Sequence, residues 1–96
     1  MIPSEAADET PYLFKFRISD HPEAEAGWAF ANLLDARTMA HYTLRQALLG
    51  QQEPCGCAEI FDGISGEWLG AILAIVHEDT EHWTWQEADK YTQLFH

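Results

Sequence analysis

Fixed positive charge is scarce in this sequence. Five Lys and Arg stand against sixteen Asp and Glu over 96 residues, a formal net charge of −11. Such a surface repels phosphate backbones and anionic membranes and attracts basic protein surfaces, so direct nucleic-acid binding and membrane association are disfavoured. Cysteine is almost as rare. Cys55 and Cys57 are one residue apart, a spacing that belongs to no secreted disulfide framework, and reduced thiols are the expectation. Long hydrophobic runs are missing too: the longest, 69–76, falls well short of the ~20 residues that a spanning helix needs. Residues 1–12 carry acids where a secretory signal would carry basic residues and an apolar stretch, so a cytoplasmic location is expected. What the chain does have is apolar mass, 47% hydrophobic with four Trp, five Phe and three Tyr, which is the composition of a folded protein. At this length it builds one core and therefore one domain.

Periodicity and caps divide the chain. Residues 1–11 read as a flexible acidic lead-in, and 12–96 as a single α+β domain. Tyr12, Phe14, Phe16 and Ile18 alternate with Leu13, Lys15 and Arg17, the period of two of a strand with one buried face. A polar loop follows, and 27–33 carries Trp28 and Phe30 in a short second strand. Asn32 is placed as N-cap of a helix from 33 or 34 to 49, with Asp35 in its first turn and Gly50 just past its end. Its apolar stripe is Ala36, Met39, Ala40, Thr43, Leu44, Ala47 and Leu48. Arg37, His41 and Arg45 fall at successive i, i+4 positions on a flank, where they are expected to pair with acids or brace the sheet edge.

The second half opens on a hairpin, 57–61 and 67–76, joined by Asp62-Gly63-Ile64-Ser65-Gly66. In 69–76, Leu69, Leu73 and Ile75 share one face, Ile72 and Val76 the other, as in a central strand or one whose second face is covered by a partner or by the C-terminal segment. Thr84-Trp85-Gln86-Glu87 fits a capping box, which predicts a short C-terminal helix over 85–95 that buries Ala88, Tyr91 and Phe95. The expected fold is a small, mostly antiparallel sheet of order β-(β)-α-β-β, with one long helix packed on it and a short C-terminal helix.

Three constellations bear on chemistry. Cys55 and Cys57 with His77 and His82 supply two thiols and two imidazoles, a possible zinc set, but structural zinc sites place two to four residues between cysteines. The expectation is no metal and no cofactor, with those four residues as the alternative. His77-Glu78-Asp79-Thr80-Glu81-His82 resembles a metalloprotease helix only superficially, since the second His comes five positions after the first and the run follows a strand. It reads as a loop that sets acids beside Trp83. The third constellation is the dispersed carboxylates, Glu23, Glu25, Glu53, Glu59, Asp62, Glu67, Glu78, Asp79 and Glu81, none in a motif that demands acid or base chemistry. A binding surface is expected at Glu59, Asp62, Glu67, Glu78, Asp79, Glu81 and Trp83, and no enzymatic activity.

The order of segments YLFKFRIS, NLLDARTMAHYTLRQALLG and AEIFDGISGEWLGAIL, with the size and charge of the chain, resembles small acidic orphan proteins of phages and bacteria. Some of these are anti-CRISPR inhibitors that mimic DNA or cover a DNA-binding groove. The resemblance implies a protein that occludes the basic, nucleic-acid-binding surface of a protein partner. A homodimer formed through the doubly apolar strand 69–76 is the alternative.

Overall fold

The computed structural model describes residues 9–77 and 79–88. The chain forms β1 (Thr10–Ile18), β2 (Ala24–Phe30), α1 (Leu33–Gln51), β3 (Cys55–Asp62), β4 (Trp68–His77) and β5 (Thr80–Glu87). All neighbouring strands are antiparallel, in the order β2-β1-β3-β4-β5. The α+β class is as the sequence predicts, and β5 is an addition to it.

Strand β1, whose alternation is the cleanest in the chain, lies inside the sheet between β2 and β3. Tyr12, Phe14, Phe16 and Ile18 are all buried while Lys15 and Arg17 turn the other way. The register places Ala26 and Trp28 of β2, Ala58 and Ile60 of β3, Ile72 and Ala74 of β4, and Trp83 and Trp85 of β5 on that same face. Helix α1 covers it with Ala36, Ala40, Leu44 and Leu48, a strict i, i+4 row. Residue size is complementary across the interface: a Cβ on Gly56 would lie 3.0 Å from Leu48 Cδ2 and 3.1 Å from Leu44 Cδ1. Phe14 anchors the other half, 5.2 Å from the Trp28 ring and 6.1 Å, edge-on, from Phe30. Each large side chain buried here contributes roughly 1.5–3 kcal/mol.

The expected start of α1 holds. Asp35 N donates to Asn32 Oδ1 at 2.9 Å. Its end does not fall before Gly50: the helix runs on to Gln51, and Gln52 takes the left-handed turn at φ 57°. Glu53 N then donates to Leu48 O at 3.0 Å, so the last carbonyls are satisfied without glycine. Strand β2 begins at Ala24, three residues before the expected start, because Ala24 and Ala26 pair with Phe16 and Phe14 where the sequence suggested a loop.

Two further expectations are corrected. Between Ile60/Phe61 and β4 the register shifts, so that Gly70 pairs with Ile60, Trp68 with Phe61, and Leu69 is the extra residue. This bulge separates Leu69, which joins the core, from Leu73 and Ile75, which are exposed on the opposite face. The predicted capping box at Thr84 and Glu87 is instead the interior of β5. Trp83 and Trp85 alternate with His82, Thr84 and Gln86 and pack against the core, and burying two indoles outweighs one cap. Glu87 accepts from Trp85 Nε1 at 2.9 Å. The rest of the predicted C-terminal helix, and most of the acidic lead-in, lie outside the described residues; β1 itself begins at Thr10.

Substituting Leu44→Ala, fully buried, is expected to cost about 2–5 kcal/mol. Leu34→Ala, at 65% exposure, should stay within about 0.5 kcal/mol of the parent. Urea unfolding followed by tryptophan fluorescence measures both.

Candidate functional site

The two hairpin turns lie at opposite ends of β4. Asp62 and Glu67 flank the β3–β4 turn, and Asp79 and Glu81 lie at the β4–β5 turn. Ten residues of strand separate them, roughly 30 Å. The predicted carboxylates therefore do not form one patch. Asp62 shapes its own turn, accepting from Ile64 N at 2.7 Å and Ser65 N at 3.0 Å. Glu59 lies mid-strand on β3, 3.4 Å from Arg17 Nη2. Glu78 is outside the described residues. Trp83 is on the helix-covered face, its ring 4.0 Å from that of His41.

A different set converges where β1 meets β2, where α1 enters β3 and where β4 meets β5. This end holds Asp20, Glu23, Glu53, Asp79 and Glu81. His21 Nε2 and Glu53 Oε2 are 2.7 Å apart, tying the first turn to the helix exit. The C-terminus of α1 ends here with no basic residue in its last turn, so the partial negative charge of the helix dipole adds to that of the carboxylates.

Beside this acidic end, on the sheet face away from α1, lies a depression of about 550 Å³. Leu73 and Ile75 form its floor, with Arg17, Ser19, Cys55, Cys57 and Thr84 around them. Leu73 is 38% and Ile75 57% exposed, and no described element covers this face. Arg17 is held by Glu23, Nε to Oε1 at 3.0 Å, and by Glu59. All four members of the predicted zinc set belong to this side of the sheet. Cys55, however, pairs with Ile75, which pairs with His82, so a whole strand stands between thiol and imidazole. Among the described residues no three His, Cys, Asp or Glu are grouped to hold an ion. Burial raises the Cys57 thiol above its ordinary value, Glu59 adds to the shift, and Arg17 opposes it.

The flank of α1 is the feature that sequence reasoning understood least. Arg45 binds Glu81 through two bonds, Nε to Oε1 at 3.1 Å and Nη2 to Oε2 at 3.0 Å. His41 packs on Trp83, and Arg37 lies over Trp85 with its guanidinium carbon 4.7 Å from the ring centroid. Four residues of helix rise about 6 Å and two of strand about 6.7 Å, so the rows 37-41-45 and 85-83-81 stay in step. The expectation that this stripe braces the sheet edge is met, with one acid and two indoles as partners. Arg45, followed by the Trp83 indole N–H, holds the Glu81 carboxyl below its ordinary value. Between the two rows is a groove of about 410 Å³ lined by Leu34, Arg37, Thr38, His41, Ile72, Trp83 and Trp85.

No family model matches the chain, and no curated protein or solved structure matches it either.

Two outcomes test this geometry. Cys55 is exposed while the Cys57 thiol is held protonated, so iodoacetamide should label Cys55 first at mildly alkaline pH, as peptide mass spectrometry would show. Because the folded Glu81 pKa is depressed, its contribution to stability is present above the ordinary carboxylate pKa and is lost as pH falls through the lowered one. Arg45→Gln should therefore lower stability at neutral pH and converge on the parent in acid, by urea unfolding at both pH values.

Proposed function

We propose that this is a non-enzymatic binding protein that docks on a basic protein surface, with the open sheet face as the contact and the acidic end as its steering rim. One observation carries the reading: exposed Leu73 and Ile75 sit in a shallow depression of the open face whose Arg17 is bound by Glu23, toward the end of the sheet that holds Asp20, Glu53 and Asp79. An apolar centre with a charged rim is the anatomy of a protein–protein interface. The rim sets the sign of the partner, because a chain of net charge −11 associates fastest with a positive surface. The narrower form is an inhibitor that covers a nucleic-acid-binding groove, as anti-CRISPR proteins do.

Strand β4 is paired on both sides, with β3 and β5, which speaks against self-association through the edge of 69–76. A face-to-face dimer would bring two acidic rims together, which favours a basic partner over a second copy. No helix among the described residues is long and apolar enough to cross a membrane.

Affinity capture from cells of the native host, at low and high salt, should recover a basic nucleic-acid-handling protein that is weakened by salt. With that partner, Asp20→Lys combined with Asp79→Lys should slow association about tenfold or more. Ile75→Ala should mainly speed dissociation, and Glu67→Lys, at the far end of β4, should do little. Equal effects of Glu67→Lys and the Asp20/Asp79 pair would move the interface away from this end, and recovery of no basic partner would sink the reading.

A further inference from the structure

The outer edge of β5 has a donor pattern that the ladder fixes. Ala88 N donates to Leu69 O at 3.1 Å, and the pairs continue through 86/71, 84/73 and 82/75. In an antiparallel ladder, bonded and non-bonded pairs alternate. The even-numbered residues of β5 therefore bond to β4, while Glu81, Trp83, Trp85 and Glu87 turn their N–H and C=O outward. No described strand pairs with this edge. A strand added there would place the residues opposite Trp83 and Trp85 on the same side as the two indoles, at the mouth of the groove between β5 and α1.

That groove contains an arginine in an unusual state for so acidic a chain. Arg17 and Arg45 are each neutralised by carboxylates. Arg37 lies over the Trp85 ring, and among the described residues no carboxylate lies within ion-pair distance of it. The contact with the ring uses no N–H donor in a hydrogen bond to an acid, and the Arg37 guanidinium keeps donors for a carboxylate. At one end of the same row Glu87, which accepts only the neutral Trp85 indole N–H among the described residues, would repel acids, whereas the charge of Glu81 at the other end is met by Arg45.

We propose that the edge of β5 and the groove behind it form a strand-addition site for an extended peptide, with a carboxylate opposite Trp85 and a basic residue opposite Glu87. Main-chain bonds to Trp83 and Trp85 supply the docking, and the Arg37 pairing supplies the register and the selection. This site is on the other side of the sheet from the open face and stands independently of it.

The probe is the blocked heptapeptide Lys-Thr-Glu-Thr-Leu-Thr-Lys, which in the antiparallel sense sets its Glu opposite Trp85. Its counterpart has Lys in place of that Glu. Titrated into isotopically labelled full-length protein at low salt, the first peptide should shift the Trp83 and Trp85 backbone amides and slow their exchange. It should bind about tenfold more tightly than the Lys peptide, the size of one partly exposed charge-assisted pairing. Arg37→Glu should reverse that preference. The two peptides on the unaltered protein keep the test valid if the variant does not fold. Unperturbed Trp83 and Trp85 amides at millimolar peptide would overturn the proposal, as would equal affinity for both peptides. Amide protection that grows with protein concentration alone would also overturn it, by making a second copy the occupant.

Discussion

Everything in this molecule depends on a single apolar layer, the one between the Ala36-Ala40-Leu44-Leu48 row of α1 and one face of the sheet. Among the described residues one helix covers one face of the sheet, and the steric fit at that interface is tight. Leu44 and Leu48 close over Gly56, where a methyl group would already press on both. Ala36 and Ala40 stand toward the end where Tyr12, Phe14 and Phe30 bring rings. Large opposite small along the whole row keeps the helix seated at close-packed density, and the helix position in turn sets where its flank meets β5.

That flank shows how a shared translation can organise dissimilar chemistry. An ion pair, an imidazole–indole contact and a guanidinium–indole stack follow one another because the helix and strand repeats are nearly equal in length. Only the first would be called electrostatic, and an exposed pair of that kind is individually weak. Together they hold an edge strand against the helix, while leaving one guanidinium without an acid among the described residues.

Much of the fold was legible from residues. The alternation of 12–18, the Asn32 cap and the Asp62–Gly66 turn each have a local physical cause, and each appears as expected. The misreadings share a different cause. Thr84 and Glu87 satisfy a capping pattern, but the partner that decides their conformation, the Ile72 and Ala74 surface that receives Trp83 and Trp85, is distant in sequence. The Leu69 bulge is likewise invisible to a period-of-two count, which assigned Leu69 and Leu73 to one face. The predicted carboxylate surface was split for a topological reason: two consecutive hairpin turns on one strand must point to opposite ends. The convergence of Asp20, Glu53 and Asp79 required knowing that β1, β3 and β4 are neighbours. Arg37 was visible as part of a stripe, but its indole partner was not, because nothing in the sequence placed 85 on a strand.

The bulge at Leu69 has an evolutionary corollary. Past that residue, a single insertion in the strand determines which side chains are core and which are exposed, since a shift of one residue exchanges the faces of a strand. Ile72 and Ala74 on one side, and Leu73 and Ile75 on the other, are all small or aliphatic, so either assignment supplies an apolar layer. One codon's length of indel thus separates the present open face from its mirror, and a lineage in which that residue is lost would expose a different set of side chains without having to invent a new hydrophobic surface.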